Sequence, residues 1–91
     1  MSRVVHSTQD PVGIRPPASV REGGNLQIGV TSGASELEFI IPGLGRFKVP
    51  VSNGIAEYRL PPTVHGGTMI FISDRVMPFP STAIVQVVSN P

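Results

Sequence analysis

Apolar side chains recur at every second position along this chain, in short runs separated by turn residues, and that spacing suits an extended backbone with one dry face and one wet face. In Leu26-Gln27-Ile28-Gly29-Val30-Thr31, the residues Leu26, Ile28 and Val30 share one face. Glu36-Leu37-Glu38-Phe39-Ile40-Ile41 repeats the scheme, with Leu37, Phe39 and Ile41 inward and both glutamates outward. Phe47-Lys48-Val49-Pro50-Val51 is a third run. Pro50 has no N–H to give to a ladder, so this segment is expected at a sheet edge or a bulge. Residues 55–60 follow, with Ala56, Tyr58 and Leu60 inward. Residues 68–73 and 83–89 complete the clear strands, and a weaker one is placed within residues 4–14. Nowhere do apolar residues recur at i, i+3, i+4 and i+7 over three capped turns, so helix is expected to be nearly absent.

The breakers between these runs are the residues that reverse an extended chain. Gly23-Gly24-Asn25, Ser32-Gly33-Ala34, Pro42-Gly43-Leu44-Gly45 and Ser52-Asn53-Gly54 all tolerate positive φ or preset a turn. Asn53-Gly54 is the strongest hairpin signal, because both residues suit a type I′ turn. Strand centres fall about 8 to 14 residues apart, which favours a sandwich of the immunoglobulin type.

A resemblance sharpens this reading. Pro17-Ala18-Ser19-Val20-Arg21-Glu22-Gly23-Gly24-Asn25-Leu26-Gln27-Ile28-Gly29-Val30 resembles the opening of bacterial and phage immunoglobulin-like modules, in which a proline-bearing first strand leads through a Glu-Gly-Gly type turn into an alternating second strand. Gly66-Gly67-Thr68-Met69-Ile70-Phe71-Ile72-Ser73-Asp74 and Ala83-Ile84-Val85-Gln86-Val87-Val88 resemble their closing strands. The cysteine pair and core tryptophan of antibody domains are missing, so the resemblance does not extend to them. The fold it implies is all-β: a small antiparallel immunoglobulin-like β-sandwich of six or seven strands over residues 17–91. Residues 1–16 are expected to form an N-terminal arm or an irregular first strand.

Composition narrows function by exclusion. In 91 residues there are seven basic and six acidic side chains, a net charge of +1, and no run of Lys or Arg to displace counterions from a phosphate backbone. Nucleic acid is therefore not an expected partner. No apolar stretch approaches the roughly 20 residues that span a bilayer, so no membrane partner is expected either. Without cysteine there is neither a disulfide scaffold nor a thiolate metal site.

Chemistry finds little support. The six acids, Asp10, Glu22, Glu36, Glu38, Glu57 and Asp74, fall at strand-out or turn positions. Glu36 and Glu38 share a strand face with Cα atoms roughly 7 Å apart, a spacing open to a glycosidase-like pair but expected of a solvated face that resists edge pairing. His6 and His65 stand beside turn sequence with no metal-ligand spacing. There is no G-x-S-x-G elbow, and Pro42-Gly43-Leu44-Gly45-Arg46-Phe47 lacks the lysine and following helix of a phosphate loop. No catalytic residue, metal or cofactor is expected.

Two features point instead to contact. Residues 68–72 and 83–88 are apolar on both faces, so their outer side is expected to be covered, by the chain's own arm or a loop or by a partner. Arg75-Val76-Met77-Pro78-Phe79-Pro80 places large apolar groups in a proline-broken loop, which either plugs one end of the core or recognises something. The candidate interface is accordingly Ile70, Ile72, Ile84, Val88, Val76, Met77 and Phe79. The expectation is a non-catalytic structural or interaction protein whose partners are proteins, either subunits of an assembly or further copies of itself. The closest setting is a phage virion, assembled in the cytoplasm, with a capsid decoration or cementing subunit as the analogy. The alternative is an adhesion or ligand-binding module of a larger surface or secreted protein, using residues 42–46 and 75–80. A small hydrolase built on Glu36, Glu38 or His65 is the remote alternative.

Overall fold

A computed structural model of the protein describes residues 13–90. Most of the expected arm, with the weak strand assigned to residues 4–14, therefore lies outside the described residues, as do His6 and Asp10. Among the described residues there is no helix, and eight strands appear: β1 (Ile14–Arg15), β2 (Ser19–Arg21), β3 (Asn25–Val30), β4 (Glu36–Ile41), β5 (Gly45–Ser52), β6 (Ile55–Arg59), β7 (Met69–Ser73) and β8 (Thr82–Val88). The chain is all-β, as the period-two pattern requires.

The expected antiparallel sandwich of six or seven strands is replaced by one hydrogen-bonded sheet of mixed direction, in the order β1-β3-β6-β5-β4-β7-β8-β2. Two local causes produce it. β5 is long enough to change partners: Gly45 to Pro50 pair with β4, whereas Val51 and Ser52 pair with β6. Pro50, expected at an edge or bulge, instead stands inside the sheet where this change occurs, so the N–H it lacks falls where β5 leaves one ladder for the other. The second cause is the division of the first strand by Pro16-Pro17. β1 pairs antiparallel with β3, and after the prolines β2 joins the far edge, parallel to β8. Arg15 and Ser19 thus sit on opposite ends of the sheet, and four Cα steps cover at most about 14 Å. The sheet must curl into a half-barrel to bring its edges that close.

The interior follows the alternation. Leu26, Ile28 and Val30 of β3, Leu37, Phe39 and Ile41 of β4, Ala56 of β6, Ile70 and Ile72 of β7, and Val85 and Val87 of β8 are buried together with Ile14, Val49, Leu60 and Val64. Phe39 and Phe47 are register partners, and their rings pack 5.6 Å apart. Tyr58 closes the cluster at 5.5 Å from Phe39 and 5.0 Å from Phe47. The hairpin signal is realised as read: Asn53 (φ 54°) and Gly54 (φ 76°) both take the left-handed region, and Ser52 pairs with Ile55 across them.

On the outer face of β3 and β6 the carboxylate of Glu57 accepts from Asn25 Nδ2 and from Gln27 Nε2, the latter at 3.1 Å. The Asn25 bond, then the Gln27 bond, and lastly the charge of Arg59 hold Glu57 below the ordinary glutamate range, against a small opposing desolvation. A depressed folded value means that the native state favours the carboxylate. The associated stabilisation is present above the ordinary glutamate pKa and is lost as pH falls through the lowered one. In an NMR titration Glu57 should therefore titrate below the ordinary range, and Asn25→Ala should move it back up. An unshifted Glu57 in the wild type would contradict the arrangement.

Candidate interaction surface

The outward positions of three neighbouring strands form a stripe. Ile40 of β4 faces Phe71 of β7, and Phe71 faces Ile84 of β8. These side chains are 36%, 44% and 51% exposed, with Met69 exposed one position along β7. The Phe71–Ile84 pair is a close one. Val87 donates to Thr68 O and accepts from Gly67 N, so its backbone groups point toward β7. By alternation, those of Val85 and Ala83 do so too. Phe71 and Ile84 are therefore a non-hydrogen-bonded pair, whose side chains stand nearest each other in an antiparallel ladder.

Four of the seven residues expected at the interface are exposed. Ile84 lies in the stripe, and Val76, Met77 and Phe79 are all exposed on the loop between β7 and β8. Val88 is half-buried. Ile70 and Ile72 are corrected: both are wholly buried, and the outer face of β7 is carried by Met69 and Phe71. No polar residue inside the run marks which apolar side is wet, and Thr68 and Ser73, five apart at its ends, give opposite parities. Ser73 is the one that shares the outer face with Phe71.

The loop is held from below. Asp74, expected at a solvated turn position, is only 4% exposed. Its Oδ1 accepts from Ser81 N at 2.8 Å and from Val76 N at 3.1 Å, while Asp74 N donates to Ser81 O at 3.0 Å. Ser81 Oγ in turn accepts from Gly13 N at 2.7 Å. The bond to Val76 is the two-residue turn that aspartate makes with its own backbone. That habit was the sequence signal available for Asp74, and Ser81, distant in sequence, had none. Above this clamp Met77 is 73% exposed and Phe79 88%, the two most exposed large apolar side chains among the described residues.

The carboxylates beside the stripe are neutralised in place. Glu38, opposite Lys48 in the ladder, is bridged by Arg46 at 3.7 Å and by Arg75 at 3.4 Å, and Lys48 reaches Glu36 at 3.2 Å. A groove of about 360 Å³ runs past Glu36, Glu38, Lys48, Asp74, Arg75 and Val76. The two glutamates suggested for a hydrolase do meet in it, but each is matched by a cation, and His65 lies in the connection between β6 and β7. Among the described residues no group of three or more His, Asp or Glu is placed to hold a metal ion. No helix among them is long and apolar enough to cross a membrane.

The two loops suggested for an adhesion site are not brought together. β7 runs antiparallel to β4, with Ser73 opposite Glu38 and Phe71 opposite Ile40. The 74–81 loop therefore leaves the end at which β4 begins, whereas the Pro42-Gly43-Leu44 turn stands where β4 ends. Searches found no matching family model, no curated relative and no solved structure similar to this chain.

Proposed function

We propose that this protein is a non-catalytic binding subunit that attaches to another protein through the β4–β7–β8 face and the adjoining 74–81 loop. The observation that carries the reading is the in-register stripe Ile40–Phe71–Ile84, ending beside a loop that presents Met77 and Phe79 from a clamped base. A cross-strand row of large apolar groups left in water is what an interface core resembles before its partner arrives. Aromatic and Met side chains are enriched in such cores. Neutralising the flanking glutamates in place leaves no unpaired charge to strip of water on docking.

The setting we propose is decoration of a phage virion, in which a modest contact repeated over a symmetric shell gains by multivalency. Kinship with phage immunoglobulin-like modules belongs to this proposal. Its support is that Ser19–Arg21 of the proline-bearing segment is strand β2 and that the Glu-Gly-Gly turn leads from it into β3.

A photo-crosslinking residue placed at 71, 79 or 84 tests the reading in the native source. A single protein species should be captured from all three positions and not from position 55, outward on β6 and separated from β4 by β5. Capture from position 55 alone, or none above background, would reject the proposal.

A further inference from the structure

The face and the loop are two apolar features of one molecule with different shapes, and they do not satisfy each other. The stripe is a row across three strands, while the loop projects from the end of the same sheet. Phe79 remains 88% exposed, so it does not fold back onto the stripe of its own chain. We propose that the occupant of the stripe is the 74–81 loop of a second copy, so that Met77 and Phe79 of one molecule pack on Phe71, Ile84 and Ile40 of the next. This rests on the reading above that these surfaces are for docking, and it names the partner.

Charge, chemistry and topology favour this occupant. From Val76 to the end of the chain there is no charged residue, and the one cation at the root of the loop, Arg75, is already paired with Glu38. A tip without charge matches a stripe whose neighbouring carboxylates are neutralised by their own Arg and Lys, so the contact buries no lone charge on either side. Pro78 and Pro80 carry no N–H, which leaves the tip few backbone donors to remove from water. The clamp at Asp74 and Ser81 fixes the base of the loop before contact, lowering the ordering cost of binding. The sheet edges offer a poorer route to self-association: β1 and β2 are two and three residues long and are joined through a proline pair.

Loop-onto-face contact joins two different surfaces, so two copies can exchange it reciprocally about a two-fold axis or pass it head to tail into a ring or a filament. The contact is made by one short loop on three side chains, so weak association is expected, visible from about 10 µM to about 1 mM.

The test is sedimentation velocity on the full chain across that range. The wild type should show a concentration-dependent rise in mass to two copies or more. Phe79→Ser removes the knob and Phe71→Glu spoils the seat, and each should weaken association about thirtyfold. Mixed together they should recover a one-to-one complex, because each variant keeps the half that the other lost. Ile55→Ser, on β6 and outside the stripe, should change nothing. If Phe71→Glu proves unfolded by circular dichroism, Ile84→Gln serves in its place. A wild type that is monomeric throughout overturns the inference, as does a mixture that stays monomeric. So does a mass unaffected by the variants accompanied by NMR shifts in residues 1–12, which would assign the stripe to the chain's own first residues. If the wild type is monomeric while residues 71, 79 and 84 crosslink to a different protein, this inference fails and the binding function stands.

Discussion

Phe39→Ala is expected to cost about 3–5 kcal/mol of folding stability, the range for removing a fully buried aromatic ring. The size follows from position. Phe39 is wholly buried, lies in β4 between β5 and β7, and its ring touches both Phe47 and Tyr58. Its loss leaves a cavity that neighbours from three strands would have to close, and the register pairs on either side prevent them from moving in. A domain of this length has roughly 5–14 kcal/mol in total, so the loss is a large fraction of its stability. Urea denaturation gives the test: a lower midpoint with an unchanged slope is the signature of lost stability. Phe79→Ala is the internal control. The same residue type, left in water at the loop tip, should shift stability by no more than about 0.5 kcal/mol. Equal losses at both positions would mean that the assignment of inside and outside is wrong.

That assignment was legible in the sequence wherever a polar residue broke the apolar run. In β3 and β4 the intervening Gln27, Glu36 and Glu38 mark the wet face, and Leu26, Ile28, Leu37 and Phe39 are inside as the alternation requires. In β8 the single Gln86 does the same work and puts Ile84 outside. β7 carries no such internal mark, and a one-residue change of parity exchanges its whole inner and outer sets. What decides it is long-range: Phe71 is outward because it stands opposite Ile40 and Ile84, whose own strands are unambiguous. Sheet topology was hidden for a related reason. The prolines announced a break after Arg15, but no local signal says that the chain resumes on the far edge of the sheet, parallel to β8. Nor does one say that β5 divides its pairing between two neighbours. The stripe is likewise a product of register between strands: the alternation puts Ile40 and Ile84 outside, but nothing local sets them on either side of Phe71.

Asp74→Ala is expected to be the most damaging polar substitution, at about 2–4 kcal/mol, and to act first on the loop. Two backbone donors, Ser81 N and Val76 N, lose the acceptor that Asp74 gives them, one in a buried position. A buried donor left without a partner costs about 1–3 kcal/mol, and bonds to a charged acceptor are at the upper end of the scale. The damage should spread to the point where the chain enters the fold. Gly13 approaches so closely that a Cβ there would lie 2.9 Å from Asp74 Oδ2, 2.9 Å from Ser81 Oγ and 2.6 Å from Ser32 Cβ, and Gly13 N donates to Ser81 Oγ. Asp74→Asn keeps an acceptor oxygen in the same place and should lose clearly less. Hydrogen exchange separates this effect from a general loss of stability. In Asp74→Ala the amides of Val76 and Ser81 should exchange far faster, while those of Leu26 and Ile28 in β3 change only by the global term. Because the clamp sets the position of Met77 and Phe79, the same variant should also weaken docking through the loop even at temperatures where the sheet is intact. A variant with Asp74→Ala stability but undiminished docking would show that the tip needs no fixed base, and would remove the clamp from the account of binding.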